Sequence, residues 1–183
     1  MRQPDPVLAG AGAQLAPPGS VALSGLILLR AALGGASALA VLHCREDLAL
    51  MTLIAAVTSD VLDGWLARSL AGRGRVSPYA DPAADFVYVA ATFAAFALAG
   101  RHPWWVLWLI IGMAAQFVAT SGRSGPRYDP IGKYYGAALF GAVGVSLTWP
   151  SLGADRVVRA SVVGATVLTL ISRVYMLANQ SDA

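Results

Sequence analysis

Six long apolar stretches dominate this chain and limit what it can fold into. Each approaches the roughly 20 apolar residues that a helix needs to cross the hydrocarbon core of a bilayer. Charged residues, proline or glycine bound the stretches, which span residues 21–44, 48–68, 81–100, 103–121, 133–149 and 157–178. The pattern predicts an all-α integral membrane bundle of six transmembrane helices over residues 21–178.

The composition supports a membrane protein. Of the 183 residues, 57% are hydrophobic and only 13% are charged, whereas a soluble domain usually carries about 25% charged residues. So few charges cannot coat a water-facing surface, and a chain this apolar does not stay disordered. The composition disfavours an ordinary soluble globule and excludes a disordered chain.

The two ends of the chain differ from the apolar stretches. Residues 1–20 are rich in proline and glycine, which predicts a flexible or interfacial leader, and residues 179–183 form a short polar tail. The single cysteine, Cys44, precludes an internal disulfide and is expected to be a small apolar residue in a helix.

The distribution of basic residues predicts the orientation in the membrane. With the N-terminus in the cytoplasm, eight Lys and Arg residues fall on the cytoplasmic side and four on the outer side. The positive-inside rule therefore predicts that both termini are cytoplasmic, and we expect the protein in the cell (inner) membrane. The basic residues are scattered, so they do not indicate binding to nucleic acid.

Four of the ten acidic residues lie close together, at the junction of the second and third stretches: Asp60, Asp63, Asp81 and Asp85. On helices, the first two share one face and the last two share another. The intervening segment contains glycine and proline and suits a tight turn that brings the two pairs together. Carboxylates within a membrane are costly unless a partner compensates them, so the segment is interpreted as a functional site.

Divalent cations are the partners that this cluster favours. Oxygen ligands without a nearby histidine or cysteine suit Mg²⁺, Mn²⁺ or Ca²⁺ better than zinc. In the alternative interpretation, Asp81 caps the third helix and Pro82 takes the first helical position. That alternative leaves the other three aspartates unexplained.

The order of residues in this segment resembles a family motif. It reads Asp60-x-x-Asp63-Gly64-x-x-Ala67-Arg68, then eight residues, then Ser77-x-x-x-Asp81-x-x-x-Asp85. The spacing is similar to that of the CDP-alcohol phosphotransferases, also called CDP-alcohol phosphatidyltransferases. Only Ser77 departs from the motif, since the family has glycine at that position.

The resemblance implies a reaction. A CDP-linked donor, usually CDP-diacylglycerol, transfers its phosphatidyl or other substituted phosphate group to the hydroxyl of a polar alcohol, and CMP is released. By position, the resemblance implies that two Mg²⁺ or Mn²⁺ ions are bound by Asp60, Asp63, Asp81 and Asp85. It also implies that Asp85 is the general base, that the protein is a homodimer, and that the CDP site contains Asp60, Gly64, Ala67, Arg68 and Ser77.

Four basic residues outside the motif are candidate contacts for the acceptor or for a lipid phosphate: Arg30, Arg123, Arg127 and Lys133. Arg30 interrupts the first apolar stretch, where it either faces a cavity or partner or snorkels to the interface. The other three precede or begin the fifth stretch, where ordinary positive-inside charge is the alternative. Arg173 is interpreted as an interface anchor, and neither histidine is assigned a role.

Two other functions remain open on the sequence alone. An intramembrane prenyltransferase also binds pyrophosphate through aspartates and Mg²⁺, and a cation-binding membrane protein without catalysis would explain the carboxylates. The sequence does not choose among the acceptors glycerol 3-phosphate, inositol phosphate, serine and inositol.

Overall fold

The computed structural model describes residues 18–69, 79–121 and 131–180. Within these ranges all regular structure is helical, which confirms the predicted all-α class and the six helices. The helices are α1 (Pro18–Leu42), α2 (Glu46–Ser69), α3 (Ala80–Leu98), α4 (Trp104–Thr120), α5 (Tyr135–Thr148) and α6 (Leu152–Gln180). A short 3-10 turn, Gly132–Tyr134, leads into α5.

Two helix starts differ from the sequence prediction. α1 begins at Pro18, so the last three residues of the predicted leader are helical, while residues 1–17 lie outside the described residues. α6 begins five residues earlier than its apolar stretch, because the Ser151 hydroxyl accepts the backbone N–H of Ala154 at 3.2 Å and caps the helix. An apolar pattern does not detect such a polar first turn.

α1 and α3 end in the same left-handed turn. The closing residue has a positive φ in each, 55° at Cys44 and 73° at Gly100. The next backbone N–H reaches a carbonyl five residues earlier, at 2.8 Å after α1 and 2.9 Å after α3. The prediction that Cys44 lies in a helix is therefore wrong: it is an exposed turn residue.

The packing of α1 against α3 sets the register of the bundle. Three contacts define it: Arg30 with Asp85, Gly34 with Tyr88, and Ser37 with Thr92. Residue numbers rise together along the two helices, so α1 and α3 run parallel. A Cβ added to Gly34 would lie only 2.6 Å from the Tyr88 Cα, so the helices approach this closely because the residue is glycine.

The other helices enclose α3 and one flank of α2. α5 packs on α2, α3 and α6, while α4 contacts α3 and α6. Tyr88 of α3 stacks on Phe140 of α5 with ring centroids 5.3 Å apart. The end of the bundle where α2 finishes and α3 begins is called here the carboxylate end, and the opposite end is called the far end.

The apolar helices and the apolar outer surface of the bundle bear on its placement in a membrane. Among the described residues, Leu152–Asn179 alone is both long and apolar enough to cross a membrane, and three shorter apolar helices accompany it: Ile27–Leu42, Pro82–Leu98 and Trp104–Thr120. Large apolar side chains such as Leu28, Met51 and Ile171 are exposed on the outer surface, as a lipid-facing surface requires. Six spans and cytoplasmic termini stay predictions.

Candidate active site

Arg30 of α1 lies at the centre of the carboxylate end. Its side chain is 0% exposed, and its Nη1 donates a hydrogen bond to Asp85 Oδ1 at 2.8 Å. Its Nη2 lies 3.3 Å from Asp60 Oδ1. A buried guanidinium is costly unless it is paired, so these two carboxylates stabilise its position. Arg30 therefore faces the motif aspartates and does not snorkel to the interface.

The two carboxylates come from different helices and remain accessible. Asp60 lies in the second half of α2 and is 61% exposed, whereas Asp85 lies in the second turn of α3 and is 31% exposed. The N-cap of α3 is Tyr79, so Asp81 is the second residue of the helix. The alternative that Asp81 is the N-cap is therefore wrong, because the helix starts before it.

Several predicted site residues have no described side chain. Asp63, Gly64, Ala67 and Arg68 lie on α2 and Asp81 lies on α3, but only their backbone placement is described. Ser77, Arg123 and Arg127 lie outside the described residues altogether. Of the four predicted metal ligands, the described side chains are those of Asp60 and Asp85, which Arg30 brings together.

The described part of the predicted metal site has the right chemistry for a hard divalent cation. Carboxylate oxygens of Asp60 and Asp85 converge from two helices on one positive group, and such oxygens are preferred ligands of Mg²⁺ and Mn²⁺. Among the described side chains, no group of three or more His, Cys, Asp or Glu residues is placed to hold a metal. Asp60 and Asp85, two of the four predicted ligands, therefore have the chemistry that Mg²⁺ or Mn²⁺ requires.

A cavity of about 790 Å³ opens beside these carboxylates, between α2, α3, α4, α5 and α6. Its lining residues with polar side chains are Asp60, Asp85, Gln116, Lys133, Tyr135, Thr169 and Arg173. The apolar wall includes Leu53, Val57, Val89, Ile110, Met113 and Phe140. This volume lies within the range of small-molecule sites, and the lining of the cavity is mainly apolar.

Arg173 of α6 is a site residue that the sequence interpretation missed. It is buried and lines the cavity, where its Nε donates to Thr120 Oγ1 at 2.9 Å and its Nη2 donates to Ser121 Oγ at 3.2 Å. Its guanidinium also lies 5.3 Å from the Phe117 ring centroid. The interpretation as an interface anchor is wrong. The signal that favours an inward position is the tendency of charges within spans to face the bundle interior.

The start of α5 forms another wall of the cavity. Lys133 lies in the 3-10 turn before α5, with its Nζ 4.8 Å from the Tyr134 ring centroid, and it also lines the cavity. A Cβ added to Gly136 or Gly141 would meet nothing within 4 Å, so these glycines border open space. Two of the predicted acceptor contacts, Arg30 and Lys133, lie within the described residues, and of these two it is Lys133 that lines the cavity.

A second polar cluster closes the far end of the bundle. Arg101 Nη1 donates to Glu46 Oε1 at 2.9 Å, and its Nη2 lies 3.6 Å from Asp155 Oδ1. His102 Nε2 lies 3.0 Å from the Ser146 hydroxyl and 3.6 Å from Asp155. The cluster joins the start of α2, the turn after α3, the end of α5 and the start of α6. It lies away from the carboxylates and serves to tie helix ends together.

Comparison of the sequence with known families identifies one match. The sequence pattern of the family described as CDP-alcohol phosphatidyltransferase matches residues 24–176, from within α1 to near the end of α6. No solved structure gives a significant match to the chain. The family is membrane-embedded, transfers a phosphatidyl group from a CDP-alcohol to an alcohol acceptor in phospholipid biosynthesis, and generally uses divalent metal ions. With a match over most of its length, the chain belongs to the CDP-alcohol phosphatidyltransferase family.

Proposed function

We propose that this protein transfers a phosphatidyl group from CDP-diacylglycerol to the hydroxyl of a polar alcohol and releases CMP. Membership of the family supports the reaction class. The observation that carries the proposal is the meeting of Asp60 and Asp85, from separate helices, on the wall of one large cavity. In this arrangement a bound donor and acceptor share a space beside the carboxylates.

We propose that Asp60, Asp63, Asp81 and Asp85 hold two Mg²⁺ or Mn²⁺ ions. When bound, the ions would neutralise the charge of the pyrophosphate and of the departing CMP. Asp60 and Asp85 support this assignment by their convergence from two helices. Asp63 and Asp81 rest on the motif spacing, which places them one turn from Asp60 and Asp85 along the same helices.

Asp85 is the proposed general base. Its carboxylate lines the cavity and is partly exposed, so the hydroxyl of an acceptor in the cavity can reach it. A positioned carboxylate that accepts the hydroxyl proton makes the oxygen a better nucleophile toward the donor phosphorus. The same residue therefore contributes both to cation binding and to proton removal.

The nucleotide contacts follow from the motif. Gly64 lacks a side chain and lets a nucleotide approach the helix backbone, and Arg68 provides a cation for a phosphate oxygen. Ala67 and Ser77 complete the proposed CDP site. Serine replaces the motif glycine at position 77, and its hydroxyl offers a hydrogen bond to a phosphate or to cytidine.

The cavity favours an acceptor that itself carries a phosphate. Lys133, in the turn before α5, and Arg173 of α6 line the same cavity as Asp85. Two cationic side chains that line one cavity attract an anionic group, and Arg is well suited to phosphate oxygens. We therefore place glycerol 3-phosphate and inositol phosphate ahead of serine and inositol. Arg123 and Arg127 stay candidate contacts for the same phosphate.

The proposed setting is the cell (inner) membrane, with the carboxylate end and both termini facing the cytoplasm. The bias of basic residues supports this orientation. A homodimer is proposed from the family resemblance alone.

The reaction is tested with purified protein, Mn²⁺ and labelled CDP-diacylglycerol against the four acceptors, with CMP release as the readout. Asp85→Asn should lower kcat about a hundredfold or more, because it removes the base and one cation ligand. Asp47→Asn is the matched control, since Asp47 is an exposed α2 aspartate that pairs with Arg45 at the far end. This control should keep wild-type activity.

Three outcomes would contradict the proposed reaction, and a fourth would contradict only the proposed acceptor class. If Asp85→Asn releases CMP at the wild-type rate, the Asp85 carboxylate has no role in the reaction. Absence of CMP with every acceptor, combined with prenyl transfer, would favour an intramembrane prenyltransferase. Absence of CMP combined with ion flux would favour a cation-binding membrane protein. CMP release with serine or inositol, but not with either phosphorylated acceptor, would overturn the acceptor class alone.

A further inference from the structure

The contacts of Arg30 involve two of the carboxylates to which the proposed function assigns a cation. Its two Nη atoms meet Oδ1 of Asp85 and Oδ1 of Asp60, at 2.8 and 3.3 Å. In the described chain, therefore, a positive side chain already stands between carboxylates from α2 and α3. A divalent cation bound by these aspartates competes with the guanidinium for them.

We propose that Arg30 is an internal counter-ion of the metal site: it pairs with Asp60 and Asp85 while no cation is bound, and a divalent cation takes these oxygens over. The inference rests on the proposed function, because that function assigns the cation to the aspartates. Arg30 is a positioning residue, since it acts on the ligands and is not assigned to the reacting atoms.

The packing of α1 explains why Arg30 is held at this point. One turn after Arg30, Gly34 lies against the backbone of Tyr88, and one turn after Asp85 the chain reaches that same Tyr88. The close approach of the two helices thus brings the guanidinium to the Asp85 carboxylate. Because α1 is held by this contact, exchange between guanidinium and cation requires a movement of side chains and leaves the helix in place.

Electrostatics determines the direction of the effect. Without a cation, the carboxylates of Asp60 and Asp85 repel each other, and the Arg30 charge between them stabilises the pair. With a divalent cation in place, the same positive charge lies nearby and repels it. Arg30 therefore stabilises the metal-free protein and lowers the affinity for the cation.

The test compares thermal unfolding and Mn²⁺ binding in the wild type and in Arg30→Gln, with bound Mn²⁺ measured by electron paramagnetic resonance. The metal-free Tm of Arg30→Gln should be lower than that of the wild type, and saturating Mn²⁺ should recover most of the loss. Its Mn²⁺ affinity should rise about tenfold, because a nearby positive charge has been removed. Arg30→Lys retains the charge and should bind Mn²⁺ with an affinity close to the wild type.

Arg101→Gln is the matched control. Arg101 also bridges two carboxylates from different helices, those of Glu46 and Asp155, but it does so at the far end. Its replacement should lower the Tm equally with and without Mn²⁺ and leave the Mn²⁺ affinity unchanged. A purely structural role of Arg30 would give this same result in Arg30→Gln and would overturn the proposal.

A second measurement does not depend on the folding of a variant. Nitrogen-15 spectra of the arginine side chains in the wild type should show the Arg30 Nη signals shifting as Mg²⁺ saturates the site. Unchanged Arg30 signals at Mg²⁺ saturation would overturn the proposed counter-ion role of Arg30. Weaker Mn²⁺ binding in Arg30→Gln than in the wild type would overturn it as well. If the wild type itself does not bind Mn²⁺, the metal site of the proposed function would be overturned. The counter-ion role, which rests on that site, would then be overturned too.

Discussion

The candidate active site contains two arginines from apolar helices, Arg30 beside the carboxylates and Arg173 on the cavity wall. Arg30 is paired with carboxylates, whereas Arg173 donates hydrogen bonds to the hydroxyl oxygens of Thr120 and Ser121. Arg30 is thus suited to organising the carboxylates. The side chain of Arg173 lines the cavity in which we propose that the phosphorylated acceptor binds.

Replacement of Arg173 tests the acceptor site at the residue scale. Arg173→Gln should raise the KM for glycerol 3-phosphate, or for the phosphorylated acceptor that supports CMP release, about tenfold or more. A hydrogen bond to a charged group contributes about 1.5–3 kcal/mol, which corresponds to this factor. The KM for CDP-diacylglycerol should change little. Steady-state kinetics with each substrate varied in turn provide the measurement.

Arg156→Gln controls for the loss of one positive charge from α6, since Arg156 is exposed near the far end of the same helix. It should leave both KM values unchanged. An unaltered acceptor KM in Arg173→Gln, or an equal rise for serine or inositol, would be inconsistent with a phosphate contact.

At the scale of the helices, one glycine decides how closely α1 approaches α3. Gly34 is buried against Tyr88, while its neighbour Gly35 is exposed, and a Cβ at Gly35 would meet nothing within 4 Å. The two glycines are adjacent in the sequence, and the sequence alone does not indicate which of them faces α3. The rotation of α1 in the bundle makes the distinction.

The same substitution at these neighbouring positions should give different results. Gly34→Ala should destabilise the protein by about 1–3 kcal/mol, because the new methyl group overlaps the α3 backbone and forces the helices apart. Gly35→Ala should be neutral or slightly stabilising, because alanine is the better helix former. Thermal unfolding of the two variants in one detergent measures the difference, and equal Tm values would show that α1 does not pack on α3 as described.

At the scale of the whole molecule, polar groups concentrate at the two ends of an apolar bundle. The carboxylate end carries the candidate active site, and the far end carries the cluster around Arg101 and His102. Burial between Phe93 and Phe96 lowers the pKa of His102 below its ordinary value of 6.5. Asp155 opposes this shift, whereas the charges of Arg101 and Arg159 add to it.

Because the pKa of His102 is lowered, the free energy of unfolding should depend on pH. Because the folded protein holds His102 neutral, the unfolded chain takes up a proton more readily as the pH falls through 6.5. The free energy of unfolding should decrease as the pH falls from about 7 to the pKa of His102 in the folded protein. Above about pH 7, the contribution of His102 to stability should be fully present. Tm measured between pH 5 and 8 records the slope.

His102→Gln should flatten this slope, since glutamine does not titrate and still presents a polar group toward Ser146. His43→Gln, in the exposed turn after α1, is the matched control and should retain the wild-type slope. A slope that persists in His102→Gln would assign the pH dependence to other groups.

The sequence by itself determined the features that depend on neighbours along the chain. Apolar runs of helix length predicted the six helices to within a few residues, and they erred at Pro18 and Leu152, where the helix begins outside the apolar run. The spacing from Asp60 to Asp85 identified the family, because the motif lies within one short continuous segment of the chain.

The tertiary structure alone decided which side chains meet across the bundle. Arg30 meets an aspartate 55 positions away, and Arg173 turns toward the end of α4, 53 positions earlier. Such contacts depend on how each helix is rotated and how closely it approaches its neighbours. A local pattern shows that a charge lies within an apolar helix, but only the packed bundle determines which partner stabilises it.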